Sequence, residues 1–236
     1  MIPIHDRNPR RGRPVVTVLL IAANALAFFY ELALGARIEG FLMSAAFVPA
    51  RLWDGGALTA ADVPEAVTSA LFSMFLHGGW MHFLGNMLFL WVFGDNVEDR
   101  LGHFRFLLFY LLAGYAATFA HAWFNPLSTV PAIGASGAIS GVLGAYLFLH
   151  PRAKIVTVVW LLFFIRLVEI PAIVYLPIWF LLQLLPGLSS LGAVEEAAAG
   201  GVAWWAHIGG FVAGPLLLLL LGGGRGRRAP RPASVR

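Results

Sequence analysis

Long apolar runs separated by short polar punctuation recur from one end of this chain to the other. The first run, residues 15–34, matches the roughly 20 apolar residues needed to cross a bilayer core of about 30 Å. A polar segment containing Gly and Pro follows it to about Gly79. Further helices are expected at 82–93, extending towards Arg100, then at 104–123, 135–149, 171–185 and 202–221. The stretches "NPLSTVP" and "HPR" bracket the fourth of these, because Pro lacks a donor and restricts the residue before it. The segment from Lys154 to Gly187 is too long for one span and is broken by Arg166, Glu169 and Pro171. A charge at mid-bilayer costs about 2.5 to 3.5 kcal/mol, so Arg166 and Glu169 mark a boundary and the fifth helix starts after them. The pattern therefore predicts an all-α membrane protein, a bundle of six transmembrane helices.

Composition supports that class: 59% of residues are hydrophobic and 12% charged, against about half and about a quarter in soluble domains. With six spans both ends lie on one side, and thirteen of the sixteen Lys and Arg residues fall there. Basic residues concentrate in cytoplasmic loops, so both termini are expected in the cytoplasm. The same distribution accounts for the net charge of +4 without nucleic acid. The first run lacks a small-residue cleavage site and more spans follow, so it reads as an uncleaved helix. The expected organisation is a basic arm (1–14), a membrane domain (15–222) and a flexible basic tail (223–236). Absence of cysteine excludes disulfides, thiolate zinc sites and a cysteine nucleophile.

This topology runs helices two, four and six from outside to inside, so their N-terminal ends share a depth. Those ends carry "HFLGN", "GASGAISG" and "WWAHIGGFVAG", bringing His82, Asn86, Ser136 and His207 together from three segments. Ser136 needs a neighbouring base to become a nucleophile, and His207 is the candidate. An oxyanion formed on attack needs preorganised donors. Free N–H groups at the start of helix four supply some, and Asn86, one turn after His82, adds an amide. Gly137 and Gly141 on helix four, and Gly210 and Gly214 on helix six, give both helices small faces for close packing. Ser140 lies one turn deeper than Ser136, farther from water. Taken singly, each feature is ordinary helix packing; Trp204 and Trp205 read as interfacial belt residues. His77, His103, His121 and His150 near helix ends read as solvated or interfacial, and Asp95, Glu98 and Asp99 as a helix-end charge cluster.

Together, "GASGAISG" fits GxSGxxxG, "AHIGG" fits AHxxG and "HFLGN" fits HxxxN, in the order found in the rhomboid intramembrane serine proteases. The chain resembles that family from about Thr68 to Pro215. The resemblance includes "FLHGGWMHFLGNMLFLWVFGDNVEDRLG", which is similar to the family's second helix and its acidic end. It implies a six-helix rhomboid-like bundle and a dyad of Ser136 and His207 with no third carboxylate and no cofactor. It further implies an oxyanion site of His82, Asn86 and the Ser136 amide, and a fifth helix acting as a lateral gate. Implied substrates are single-pass transmembrane proteins cut near the outer end of helices that unwind easily, usually after a small residue. The family's Trp-Arg pair in the first external loop has only the reversed "RLW" at 51–53 to match it.

There is no HExxH for a zinc protease and no GxGD for an aspartyl one. The competing reading is a catalytically inactive rhomboid-like protein that binds transmembrane helices, although such relatives typically lack the serine or the histidine. Without a soluble domain or organellar presequence, the expected location is a bacterial cytoplasmic membrane.

Overall fold

The computed structural model describes residues 1–9, 12–53, 62–161, 164–189 and 203–223. Arg10, Arg11, Val202 and the basic tail from 224 onwards lie outside the described residues. The fold is predominantly helical. Its helices are α1 (Val15–Leu34), α2 (Ile38–Ala45), α3 (Pro49–Leu52), α4 (Val63–Ser73), α5 (Trp80–Leu101), α6 (His103–Phe124), α7 (Ser136–Leu149), α8 (Ala172–Ser189) and α9 (Trp204–Leu220). The stretch Val15–Ala45 and α6 are long and apolar enough to cross a membrane, while α7, α8 and α9 are shorter apolar helices. Exposed Leu26, Phe104 and Leu220 face outward around the bundle, as lipid contact allows.

The core is built around α7, which is buried from Gly137 to Tyr146 and packs against α9, α6 and α5. Small residues make this possible. A Cβ on Gly210 would run into the Gly137 carbonyl, and one on Gly214 into the Gly141 carbonyl. On the α6 side, a Cβ on Gly137 would stand 2.6 Å from that of Ala117, and one on Gly141 2.6 Å from that of Ala113. Backbones brought this close gain dispersion contacts and interhelical dipole interactions, which drive association where lipid competes for apolar surface.

One expectation needs correcting at the segment after α7. The sequence reading leaves it as two pieces divided near Arg166 and Glu169. The second piece is the expected helix, α8, but the first, together with Arg166 and Glu169, is not helical, so the fold is not all-α: these residues form an antiparallel hairpin of β2 (Lys154–Leu161) and β3 (Phe164–Pro171), paired from Lys154 opposite Pro171 to Leu161 opposite Phe164. The β-branched run Ile155, Val156, Thr157, Val158, Val159 favours extended backbone. The expected arm contributes a third strand, β1 (Ile2–Asp6), antiparallel to β2. Glu169 joins the three strands, accepting from Arg7 at 2.6 Å and Lys154 at 3.0 Å. The Lys154 hydrogen bond, aided by Arg7, holds its carboxyl below the usual range. Asp6 is anchored to the bundle, accepting from the Tyr146 hydroxyl and from Asn96 Nδ2 at 3.0 Å.

Glu98, in the charge cluster expected as a loop or a helix end, lies in the last turn of α5 and is buried. It accepts the N–H groups of Val16 and Thr17 at 2.8 Å each and the Thr17 hydroxyl at 2.6 Å. Pro14 cannot cap α1 with a side chain, so a carboxylate from α5 satisfies the orphan donors and faces the positive end of the dipole. The long first loop holds α2, α3 and α4, and its described residues are hydrogen-bonded to one another and to α6. Phe47 N–H donates to Ser73 Oγ at 2.7 Å, and Trp53 Nε1 donates to the Ala122 carbonyl at 3.2 Å.

Candidate active site

The loop entering α7 is pinned on both sides before the helix starts. Ala132 N–H donates to Phe47 O and Gly134 N–H to Ser73 O, both at 2.8 Å. Gly134 then takes φ +126°, a conformation L side chains rarely adopt, and a Cβ there would stand 2.7 Å from His82 Nε2. Glycine at this position therefore serves both the turn and the close approach of the His82 ring. Ser136 is the first residue of α7, where backbone N–H groups have no intrahelical acceptor.

His207 lies in the first turn of α9, and its Nε2 is 2.7 Å from Ser136 Oγ. Its other ring nitrogen, Nδ1, is 2.8 Å from Gln183 Oε1 on α8. An amide oxygen only accepts, so with Oε1 facing Nδ1 the proton sits on Nδ1 and the Nε2 lone pair faces the serine hydroxyl. His82 Nδ1 accepts the Gly78 N–H at 3.3 Å. In the neutral ring that leaves a proton on Nε2, a donor beside the serine. Asn86, one turn on, is buried, and its Nδ2 has no hydrogen-bond partner in the protein among the described residues. All four side chains line one cavity of about 680 Å³, together with Trp179 and Gln183 of α8 and Met81, Gly85 and Phe89 of α5.

Ser140 is turned away from this chemistry: it is fully buried and its hydroxyl donates to the Ser136 carbonyl at 2.6 Å. Gly137, Gly141, Gly210 and Gly214 meet in pairs across the α7–α9 contact, which carries His207 to Ser136. Of the histidines expected to be solvated or interfacial, His77 and His121 are buried, while His103 lies at 2.6 Å from Glu98. His77 lies behind the cavity lining, against His82: its N–H donates to both Glu31 carboxylate oxygens at 3.0 and 3.2 Å, and its ring meets that of His82 edge-on. Sequence reasoning missed Glu31 and Gln183. The signal available for each was a lone polar side chain in an apolar helix, which is costly unless something pairs with it.

Fold and cavity define a helical membrane protein with a serine–histidine pair at the N-terminus of a central buried helix. Residues 64–224 match the rhomboid domain, and the chain belongs to the rhomboid family. That family consists of integral membrane proteins and includes serine proteases. Relatives include Rhomboid protein 1, mitochondrial, of Saccharomyces cerevisiae, 35% identical over 103 residues, covering 42% of this chain and 30% of that protein. RHOMBOID-like protein 4 of Arabidopsis thaliana is 33% identical over 60% of this chain and 31% of its own length. Rhomboid protease GluP of Bacillus subtilis is 34% identical over 59% of this chain and 25% of its own. The matched segments thus span less than a third of each of these relatives.

Proposed function

We propose that this protein is an intramembrane serine endopeptidase, working with a dyad of Ser136 and His207. The observation that carries the reading is the 2.7 Å contact between Ser136 Oγ and His207 Nε2 inside a cavity that also presents the unpaired Asn86 amide donor. As Oγ attacks the scissile carbonyl carbon, His207 Nε2 takes its proton. The carbonyl oxygen becomes an oxyanion within reach of the Ser136 N–H, His82 Nε2–H and Asn86 Nδ2. The imidazolium then protonates the leaving amine, and the ester left on Ser136 is hydrolysed by a water that His207 deprotonates in turn. Donors held in place before reaction stabilise the oxyanion without reorganisation, each typically worth about 2.7 to 4 kcal/mol.

The membrane-spanning set in this reading is α1, α5, α6, α7, α8 and α9, with the β-sheet and both termini on the basic, cytoplasmic side of a bacterial membrane. Residues 15–222 form the membrane domain, flanked by the arm and the tail. Substrates are single-pass transmembrane proteins cut near the outer end of the segment. They enter from the bilayer between α5 and α8, whose side chains Phe89 and Trp179 border the cavity. The test is cleavage of such a substrate, with a helix-breaking outer segment, by detergent-purified wild type, Ser136→Ala, Ser140→Ala and His207→Ala. Wild type and Ser140→Ala cut, whereas the other two do not. Equal behaviour of all four, with folding intact and substrate bound, replaces the protease by a helix-binding relative.

A further inference from the structure

His207 has two ring nitrogens, and the dyad uses one of them. The other faces α8, where Gln183 Oε1 sits 2.8 Å from Nδ1. One turn earlier on the same face, Trp179 packs with its ring centroid 6.1 Å from that of His207 and 6.3 Å from that of Phe89 on α5. Gln183 and Trp179 thus form one surface of α8 laid against the imidazole. A free imidazole samples both tautomers and rotates about its bonds, and only one arrangement leaves a lone pair aimed at Ser136 Oγ. An amide carbonyl at Nδ1 selects that arrangement, the part a carboxylate plays in a three-membered serine site. An amide is also the cheaper group in an apolar helix, since it carries no charge into lipid.

We infer that Gln183 is a positioning residue, the third member of a Ser136–His207–Gln183 hydrogen-bonded chain, and that it makes the competence of the base depend on where α8 sits. The inference rests on the protease reading. Because α8 packs chiefly on α9 and touches α5 lightly, displacement of α8 carries Gln183 away from His207. An enzyme with α8 displaced then has a serine without an oriented base, and full reactivity returns when the helix reseats around bound substrate.

The experiment uses the full chain in detergent, with two readouts besides substrate turnover. A small fluorophosphonate labels Ser136 directly and needs the dyad, not transmembrane recognition. Nitrogen-15 NMR of labelled histidine reports which His207 nitrogen carries the proton. The inference expects an Nδ1–H tautomer in the wild type. It also expects Gln183→Leu to slow both labelling and kcat by about ten- to a hundredfold, the range found when a partner that orients a metal-binding histidine is lost, with KM within about threefold. Gln183→Glu, which keeps an acceptor oxygen, recovers a large part of the labelling rate. An Nε2–H tautomer in the wild type overturns the inference without recourse to any variant, as does Gln183→Leu labelling at the wild-type rate with only KM changed. If Ser136 takes no label even in the wild type, the protease reading falls and the inference with it. If wild type and Gln183→Leu label alike, the inference alone falls.

Discussion

Asn86 holds a buried amide donor that no described protein group accepts, and a buried donor without a partner costs about 1 to 3 kcal/mol. Such a cost is tolerated where the group is kept for an oxygen that arrives with substrate. Asn86→Ala therefore lowers kcat by about a hundred- to a thousandfold while the melting temperature in detergent stays close to that of wild type. Steady-state kinetics and an unfolding scan on the same preparation check both halves. The serine, the histidines and this asparagine were legible because glycines and helical spacing mark their neighbourhood: Gly134 two residues before Ser136, His82 and Asn86 one turn apart, His207 in register with Gly210 and Gly214. Gln183 and Glu31 were not, because nothing near them in the chain announces a partner; each acquires its meaning from a residue far off in the chain, His207 on α9 and His77 in the loop before α5.

At the scale of elements, the apolar helices follow from run length, while the hairpin does not. Residues 154–161 are largely apolar on both sides of the strand, and in 164–171 the charges Arg166 and Glu169 fall on opposite sides, so neither shows the alternation that separates a strand from a buried helix. The β-branched run in the first was the available sign. Attachment of β1 is expected to depend on pH. Burial pushes the Asp6 carboxyl up to about 6, with the Tyr146 hydrogen bond opposing and the charge of Asp95 adding. A carboxyl raised in the folded state binds its proton more tightly there, so its contribution is fully present below about pH 4 and is lost as pH rises through about 6. Amide hydrogen exchange in β1, corrected for intrinsic rate, is thus faster at pH 7.5 than at pH 5, and Asp6→Asn removes most of that difference.

For the whole molecule, the distribution of basic residues predicts an orientation that the absence of cysteine makes straightforward to test. A cysteine at Arg166 in the hairpin and one at Leu127, in the exposed turn before α7, become the sole thiols of their variants. In intact cells an impermeant maleimide modifies the Leu127 position but not the Arg166 position, and permeabilisation exposes both. Equal labelling of both in intact cells disproves the six-span topology. The sheet carries a further consequence, concerning time. Asp6 meets Tyr146 across 140 residues of sequence, so β1 emerges from the ribosome long before its partner β2 exists. In the six-span reading it waits as an unpaired edge while the four spans α1, α5, α6 and α7 insert, and its capture by β2 follows only once the segment leading into α8 has reached the same side of the bilayer as β1.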